Sequence, residues 1–420
     1  MNKLIFSLIL TGVISVVRAQ EPVIQAASAQ QAYVANIPDA SQKSGSAAGR
    51  EGDDVVRTRS FSRTFPADRS DKVSLNNQFG TMLIKVWDKR EVKIDIEIRA
   101  VSNSEKDAQQ MVDQVSIDAA KSGDQISCKT NIDSQKRWSF NGRRRDVRVN
   151  YTVYIPASLA LALSQQFGNV TLDDLSGPLS AKVQYGDLNA GNLAGDNNYI
   201  SVQYGKTTIE ELNKATIRQQ YGSGLHIGTV RELDLDVQYA NVEIGTVRGD
   251  ALIKQQYGSG LKIGSVNNLT LNVQYANVNV KTIRGNATIK QQYNSLQIGS
   301  VGKLDLKAEY AGVTIGALRG DGQFKMSYNR CAVDEISPSC RNLNMDVDYV
   351  DLQLNFAEGY HADFSVRKSY GSFRYGPEVK AMLNADDDRG SSTKRYTGKI
   401  GNGGAATVTV KSEYGSVVFK

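Results

Sequence analysis

Side chains that can recognise an anion are concentrated in one short stretch of this chain of 420 residues. Trp138 and Phe140 lie among them, beside an Asn141-Gly142 pair that is typical of a hairpin turn. Guanidinium and ammonium groups bind phosphates and carboxylates, so the stretch predicts a polyanion-binding loop, with a solvated hairpin tip as the alternative. The basic residues of this loop are Lys136, Arg137, Arg143, Arg144, Arg145 and Arg148.

Residues that could catalyse a reaction are scarce. The two histidines, His226 and His361, are far apart in the sequence, and Lys262 takes the place of His226 in the next copy of a repeat. The sequence contains no spacing typical of a zinc site, a phosphate-binding loop or a nucleophile elbow. We therefore expect no catalytic residue, no bound metal and no cofactor, and a protein that is not an enzyme.

The three cysteines suggest one disulfide bond. Cys331 and Cys340 are close enough in sequence to close a short loop around Ser337-Pro338-Ser339 in an exported protein. Cys128 alternates in phase with Ile126 on a predicted strand, which indicates a buried thiol rather than a reactive one. The spacing alone leaves open whether Cys331 and Cys340 are bonded.

The elements around these residues are repeated. An aromatic residue followed by a small one recurs about every eighteen residues, which indicates a solenoid. The clearest copies, residues 219–254 and 255–290, each contain two tyrosines, so the repeating unit is a pair of rungs. Two positions before the tyrosine, one type of rung has Gln219, Gln255 or Gln291, and the other has Val237, Val273 or Ala308. The aromatic series is Phe167, Tyr185, Tyr204, Tyr221, Tyr239, Tyr257, Tyr275, Tyr293, Tyr310 and Tyr328.

The segments between the tyrosines predict short strands. Leu269, Leu271 and Val273 share one face at a period of two, and units of about eighteen residues rich in Val, Ile and Thr are too short for a pair of helices. The expected fold is all-β, a right-handed parallel β-helix (solenoid) with rungs of about 18 residues, and an antiparallel meander is the alternative. The residue before each tyrosine, mostly Gln, is expected to form a ladder of amide hydrogen bonds along the axis.

The orientation of the tyrosines permits two interpretations. As an exposed stripe, the rings could form a platform for sugars. Tyr239, however, lies in phase with Leu233, Leu235 and Val237, which must face the core, so strand alternation predicts that the rings are buried. By the same alternation, Gln238 is expected on the outside.

The region before the repeats predicts a different organisation. Residues 1–19 have the pattern of a secretory signal peptide, with Lys3 before an apolar run too short to span a membrane. Residues 20–54 are rich in Ala, Gln, Ser and Gly and predict a flexible leader. Residues 55–156 predict a β region with a capping helix at about 104–115, N-capped by Ser104. Residues 157–420 comprise the β-helix repeats and a C-terminal cap.

The charge and the apolar segments limit the partners and the location. A formal net charge of +6 is too weak to imply a nucleic-acid partner. No segment after the signal peptide is apolar enough to predict a transmembrane span. The sequence therefore predicts an exported protein of the periplasm, the outer surface or the surrounding medium.

The order of these features resembles the bacterial putative adhesin domain family, a family of secreted β-helices of unknown function. The resemblance covers about residues 60 to 420. It rests on the segment around Phe65 (TFPADRSDKVSLNNQFGTMLIKVWDKREVKIDIEIRA), the helix SEKDAQQMVDQV, the strand VNYTVYIPASLALALSQQFGNVTL and the YG or YA rungs.

We therefore expect a non-enzymatic, adhesin-like binding or scaffold protein of the bacterial cell envelope. Its partner would be a glycan, lipopolysaccharide or another envelope protein. The alternative is a carbohydrate-active β-helix enzyme, a polysaccharide lyase or hydrolase, because other β-helices carry such activities.

Overall fold

The computed structural model describes residues 54–132, 145–384 and 392–420. The predicted signal peptide, the predicted leader up to residue 53 and most of the predicted basic loop lie outside these residues. The described chain is nearly all β and forms a solenoid of about 11 turns with rungs of about 18 residues, together with a single helix.

The turns of the solenoid stack in parallel and in register, as predicted. Ile227 pairs with Ile244, and Ile244 pairs with Ile263 in the following turn. An antiparallel meander is therefore excluded for these strands. The strands are β8 Ala160–Phe167, β9 Val170–Leu172, β10 Leu179–Gln184, β11 Leu188–Leu193, β12 Asn198–Gln203, β13 Lys206–Gln220, β14 Gly224–Gln238, β15 Val242–Gln256, β16 Gly260–Gln274, β17 Asn277–Gln292, β18 Ser295–Glu309, β19 Gly312–Leu318, β20 Gly322–Ile336 and β21 Asn342–Phe356.

A continuous apolar core runs through the turns. Within β14, Leu233, Leu235 and Val237 point inward and are buried, and the residues between them point outward. This alternation is the ordinary period of an extended strand. Each inward residue packs on its counterpart one turn away, so the core is a set of stacked columns of Leu, Ile and Val.

The solenoid begins earlier in the chain than the repeat pattern indicates. Lys72 pairs with Ala160 and Met82 pairs with Val170, both in parallel, so the first turn lies inside the predicted N-terminal β region. The strands of this region are β1 Val55–Pro66, β2 Lys72–Phe79, β3 Met82–Val86, β4 Glu91–Ser102, β5 Val115–Ser122, β6 Gln125–Ile132 and β7 Arg145–Ile155. Among these strands, β6 pairs with β2 and β7 pairs with β3, whereas β1, β4 and β5 form antiparallel pairs with their neighbours.

The predicted helix is present as α1, Glu105–Asp113. The Ser104 hydroxyl accepts a hydrogen bond from the Asp107 backbone N–H at 3.4 Å, as expected of an N-cap. Ala108, Met111 and Val112 are buried on the face of α1 that packs against β1 and β4.

The C-terminal turns are out of chain order. Thr407 pairs with Asn342 on one side and with Asp363 on the other, so β26 lies between β21 and β22. The chain thus passes the last turn, folds back through antiparallel strands and returns to fill a gap. The strands concerned are β22 Ala362–Ser369, β23 Ser372–Tyr375, β24 Val379–Leu383, β25 Thr393–Ile400, β26 Thr407–Glu413 and β27 Ser416–Phe419.

The disulfide suggested by the spacing of Cys331 and Cys340 is not formed in this structure, where all three cysteines are free and buried. Cys331 lies in a core column between Val313 and Leu352, whereas Cys340 follows the next corner, where its thiol donates to the Asn342 carbonyl at 3.9 Å. The two thiols thus occupy different parts of the turn. Burial raises the pKa of Cys331 to about 12 and that of Cys340 to about 11, so both stay protonated at neutral pH.

Candidate binding face

The tyrosines lie on the outside of the solenoid, so the prediction of a buried ladder was wrong. Tyr239 is 42% exposed and Tyr257 is 48% exposed, although Val237, two positions before Tyr239, is fully buried. The cause is the backbone. Each ladder tyrosine has a positive φ between 51° and 63°, which turns the chain and sends the ring outward. The alternation of residues along a strand predicts which side chains are buried only while the backbone is extended. It therefore fails at these corners.

The rings form one continuous stack along the solenoid. Neighbouring ring centroids are 4.5 to 5.5 Å apart and neighbouring ring planes are within 17° of parallel. Rings inside the stack have both faces covered, so they cannot stack on a sugar ring and present only their hydroxyl edges. In spatial order the stack contains Phe79, Phe167, Tyr185, Tyr204, Tyr221, Tyr239, Tyr257, Tyr275, Tyr293, Tyr310, Tyr328, Tyr349, Tyr414 and Tyr370.

The stacking environment raises the pKa of individual phenol hydroxyls in this stack. Burial and the neighbouring hydroxyls of Tyr185 and Tyr221 raise the pKa of Tyr204 above its ordinary value. A hydrogen bond with Tyr293 raises the pKa of Tyr275 in the same way. The ladder therefore offers a row of groups that both donate and accept hydrogen bonds, spaced about one strand apart.

The inside of the tyrosine corner contains a buried glutamine in alternate turns of the regular region. Gln255 is fully buried, and its Nε2 donates to the carbonyls of Ala240 at 3.1 Å and Gly260 at 3.3 Å. Gln291 does the same for the carbonyl of Ala276 at 2.9 Å. The glutamine amide thus has backbone carbonyl partners inside the corner, which explains how a polar residue can occupy a core position.

Within residues 219–276, this buried glutamine restricts the residue that follows the tyrosine. A Cβ atom at Gly258 would overlap Nε2 of Gln255 and come within 2.6 Å of the Ala240 carbonyl oxygen. In the intervening turns, where Val237 or Val273 takes the place of the glutamine, the residue after the tyrosine is Ala240 or Ala276. The two types of rung, QQYG and VQYA, are therefore two ways of filling the same corner.

The predicted amide ladder is present on the outside of the corner, one position after the buried glutamine. Gln274 Nε2 donates to Gln292 Oε1 at 2.8 Å, and the same pattern recurs along the axis. The other pairs are Gln184 to Gln203, Gln203 to Gln220, Gln220 to Gln238 and Gln256 to Gln274, at 2.8 to 3.4 Å. Together with the tyrosine edges, this ladder forms one margin of a flat polar face.

We call this the outer face, which consists of the outward side chains in the strand segments that precede each tyrosine. Two columns run along it beside the amide ladder, with one residue per turn. The column nearer the amides, three positions before the tyrosine, contains Arg218, Asp236, Lys254, Asn272 and Lys290. The column five positions before the tyrosine contains Thr216, Asp234, Leu252, Thr270 and Thr288.

Two shallow grooves lie on the outer face. The first has a volume of about 400 Å³ and is lined by the two columns just described, with Leu252, 49% exposed, near its middle. The second, about 430 Å³, lies nearer the N-terminal end and is lined by amides and hydroxyls around Lys182, including Gln166 and Gln184. Both grooves thus offer hydrogen-bonding groups and at least one ammonium group, and in the first groove the ammonium groups of Lys254 and Lys290 are two turns apart.

The predicted basic loop is described only at its C-terminal end. Arg145 begins β7, and Arg148 within β7 is ion-paired with Asp146, with Nε 2.9 Å from Oδ2. Lys136, Arg137, Arg143 and Arg144 lie outside the described residues. Polyanion binding by this loop stays a prediction.

The histidines lie apart from the outer face and from each other. His226 projects from the sheet after the tyrosine corner, where its Nδ1 is 3.7 Å from a Glu243 carboxylate oxygen. His361 accepts a hydrogen bond from the Asn402 backbone N–H at 3.1 Å. In the described ranges, no group of three or more His, Cys, Asp or Glu side chains could hold a metal ion. No helix in this part of the chain has the length and apolar composition needed to cross a membrane.

Sequence reasoning missed the two outer columns. The signal for them is the position three before each tyrosine, which is outward on the strand and, from Arg218 to Lys290, carries a cation in every second turn. It becomes visible only when the rungs are aligned on the tyrosine and the outward positions are compared as columns.

Comparison with known proteins gives only distant likenesses. No model of a known protein family matches the chain, and no curated protein matches it. Among solved structures, one described as a putative cell adhesion protein from Clostridium sporogenes is 8% identical over 87% of this chain and 99% of its own, with a TM-score of 0.16. Another, described as a putative adhesin from Bacteroides fragilis, is 10% identical over 71% of this chain and 97% of its own, with a TM-score of 0.19.

Proposed function

We propose that this protein is a non-enzymatic, adhesin-like solenoid of the bacterial cell envelope whose outer face binds a linear polysaccharide along the solenoid axis. The observation that carries the proposal is that both grooves lie on this one face, beside the amide ladder and the tyrosine edges. Export is part of the proposal and rests on the predicted signal peptide.

The periodicity of the outer face favours a polymer as its ligand. Side chains in each column repeat once per turn, at the strand spacing of about 4.8 Å. A ligand that uses such columns must itself repeat along a line, as a polymer of similar units does. An extended polysaccharide advances by a comparable distance per sugar, so successive sugars can meet equivalent groups in successive turns.

The chemistry of the face favours a carbohydrate. Sugar hydroxyls both donate and accept hydrogen bonds, as do the Gln amides, the Thr hydroxyls and the tyrosine edges. Leu252 supplies an apolar contact for the C–H face of a sugar at the middle of the first groove. A shallow groove that is open along its length accommodates an internal segment of a long chain.

The proposal predicts a difference between two matched substitutions. Asn272 lies in the first groove, whereas Asn279 is exposed on the sheet that follows the tyrosine corner. On an array of bacterial polysaccharides the protein is expected to retain at least one. Asn272→Trp should weaken that binding about tenfold, a loss of about 1.4 kcal/mol, and Asn279→Trp should leave it unchanged. Failure to retain any polysaccharide, or equal effects of the two substitutions, would contradict the proposal.

A polysaccharide-cleaving enzyme is the second candidate, and one observation favours it. The first groove places Asp234 and Asp236 beside Arg218, whereas the next copy of the repeat has Thr270 and Asn272 at the equivalent positions. Paired carboxylates are the usual catalytic groups of glycosidases. Measurement of new reducing ends, with polysaccharides that bind as substrates, separates the two candidates. If the parent protein cleaves a polysaccharide and the Asp236→Asn variant does not, the enzymatic function is correct and the binding function is wrong.

A further inference from the structure

The column three positions before the tyrosine carries a cation in every second turn of the first groove. Arg218, Lys254 and Lys290 belong to turns with a buried glutamine, and Asp236 and Asn272 occupy the turns between them. Two turns separate successive cations, a distance of about 10 Å at the ordinary strand spacing. In this groove the cations therefore recur every second turn, whereas the backbone repeats in every turn.

The two lysines that this column contributes to the first groove are accessible to a ligand. Within the part of the chain that the structure describes, neither Lys254 nor Lys290 makes a salt bridge, and both are exposed. In the column itself, Lys254 is paired in register with Asp236 and Asn272, and Lys290 with Asn272 and Lys307. The neighbours in the lysines' own turns and in the turn between them are uncharged. These neighbours are Leu252, Thr270 and Thr288 on one side and Gln256, Gln274 and Gln292 on the other. Two ammonium groups that make no salt bridge, two turns apart, are thus available to an anionic ligand.

From this pattern we propose that the ligand is an acidic polysaccharide with one carboxylate in every second sugar. This inference rests on the proposed binding function and specifies its ligand. In an extended β-linked chain successive sugars are turned over, so every second sugar presents the same edge to the protein. A carboxylate on that edge would form a charge-assisted hydrogen bond with Lys254 and the next one with Lys290.

The intervening residues oppose a carboxylate on every sugar. Asp236, between Arg218 and Lys254, would repel an anion placed in its turn, and Asn272 offers a neutral amide that suits a sugar hydroxyl. Because successive sugars are turned over, a polymer of uronic acid residues alone would direct its remaining carboxylates toward the column of Asp234, Leu252 and Thr270, which contains no cation. A neutral polymer would leave the lysines without a partner. The alternating polymer is the one whose charges match the column in each turn of the groove.

The test exchanges the positions of the charges without changing their number. Lys254 is paired with Asn272 in the adjacent turn, so the double variant Lys254→Asn with Asn272→Lys moves the cation by one turn. The chain offers a matched control on the other side of the tyrosine corner, where Lys262 is paired with Asn279. The control is Lys262→Asn with Asn279→Lys. Thermal unfolding followed by circular dichroism checks that both variants fold like the parent.

Binding is measured against three extended β-linked polysaccharides of similar length: a neutral polymer, a polymer with alternating uronic acid, and a polyuronate. The parent is expected to bind the alternating polymer about tenfold more tightly than the other two, with an affinity that falls as salt rises. The exchange on the outer face should remove this preference, and the control exchange should retain it.

The outcomes separate the inference from the proposed function. Equal binding of the neutral and alternating polymers, or an outer-face exchange without effect, would overturn the inference while polysaccharide binding stands. Tighter binding of the polyuronate would also overturn it, since net charge rather than spacing would then decide. If none of the three polymers binds and the wider array also fails, both the inference and the proposed function are wrong.

Discussion

Gln255 and Gln256 are neighbours in sequence, yet they belong to two regions of the tyrosine corner that follow different rules. Gln255 is fully buried and bonds to backbone carbonyls, whereas Gln256 is half-buried on the surface and bonds to the amide of the next turn. The outside of the corner repeats in every turn, but from Gln219 to Ala308 the inside alternates between a glutamine and an apolar residue. The buried side of the corner thus restricts which residues can occupy it more than the exposed side does.

The sharpest test of this comparison is the coupling between the buried glutamine and the glycine after the tyrosine. Gly258→Ala alone should lower the free energy of unfolding by about 2–3 kcal/mol, because its methyl group overlaps the Gln255 amide. Adding Gln255→Val recreates the rung type that contains Val273 and Ala276. It should recover at least about 1 kcal/mol, as measured by urea unfolding in a double-mutant cycle. Strictly additive effects would show that the two rung types are not alternative packings.

A second test concerns the outside of the corner, where backbone strain and ring stacking oppose each other. Tyr257 has a φ of 56°, a conformation that costs an ordinary residue about 1–2 kcal/mol. Tyr257→Ala keeps this cost and loses two stacked contacts, so it should lower stability by about 1–2 kcal/mol. Tyr257→Gly should be more stable than the alanine variant by about 0.5–1 kcal/mol. At Thr270, on an extended strand, the order of the glycine and alanine variants should be reversed.

The third prediction uses an unsatisfied atom inside the corner. Thr207 donates its hydroxyl to Gln219 Oε1 at 2.6 Å, but the Oε1 atom of Gln255 is buried without a partner in the described structure. Val242 stands in the same relation to Gln255 as Thr207 does to Gln219. Val242→Thr should therefore raise the free energy of unfolding by up to about 1 kcal/mol.

The control for this prediction is Val280→Thr, at a buried position outside the glutamine corner. It should lower stability by about 1–3 kcal/mol, because its hydroxyl is buried without a designated acceptor. Urea unfolding measures both variants. If Val242→Thr is as destabilising as Val280→Thr, the free Oε1 atom is not available to the new hydroxyl.

The smallest effect is expected in the outer ladder. Gln256→Ala removes amide hydrogen bonds on a half-buried surface, where water can replace the lost partners. The expected loss is about 0.5 kcal/mol, measured by urea unfolding. Gln274→Ala, one turn later on the same ladder, should behave alike. A loss as large as that of Gly258→Ala would remove the distinction between the two sides of the corner.

Features that follow from regular repetition could be predicted from the sequence. The rung length, the parallel stacking and the outer amide ladder all follow when identical residues recur at one phase of a strand. The helix α1 was predictable because its N-cap and its apolar face are local features. These predictions required no knowledge of the backbone at the corners.

Features that depend on the corners could not be predicted in this way. Alternation assigned Tyr239 to the core because it assumes an extended backbone, and the positive φ at that residue reverses the assignment. The buried glutamines were hidden for a related reason, since a polar side chain in the core requires a carbonyl that only the folded corner supplies. Within residues 219–276, the association of Gln with YG and of Val with YA was the available signal. The return of β26 between β21 and β22 leaves no trace in the period of the repeats.

The alternating interior also limits how the gene can change in length. Along the column of the solenoid that contains Gln165, Gln219, Gln255 and Gln291, no two buried glutamines occupy adjacent turns. Duplication or loss of a single turn within the regular region would bring two glutamine turns, or two valine turns, together. A change of two turns preserves both the inner and the outer columns. Val183 and Val202 occupy adjacent turns of this column, so two valine turns can stack, whereas no two glutamine turns are adjacent. Slippage between repeats should therefore be disfavoured mainly where it joins two glutamine turns, and a change by a whole rung pair adds one more segment of the outer face.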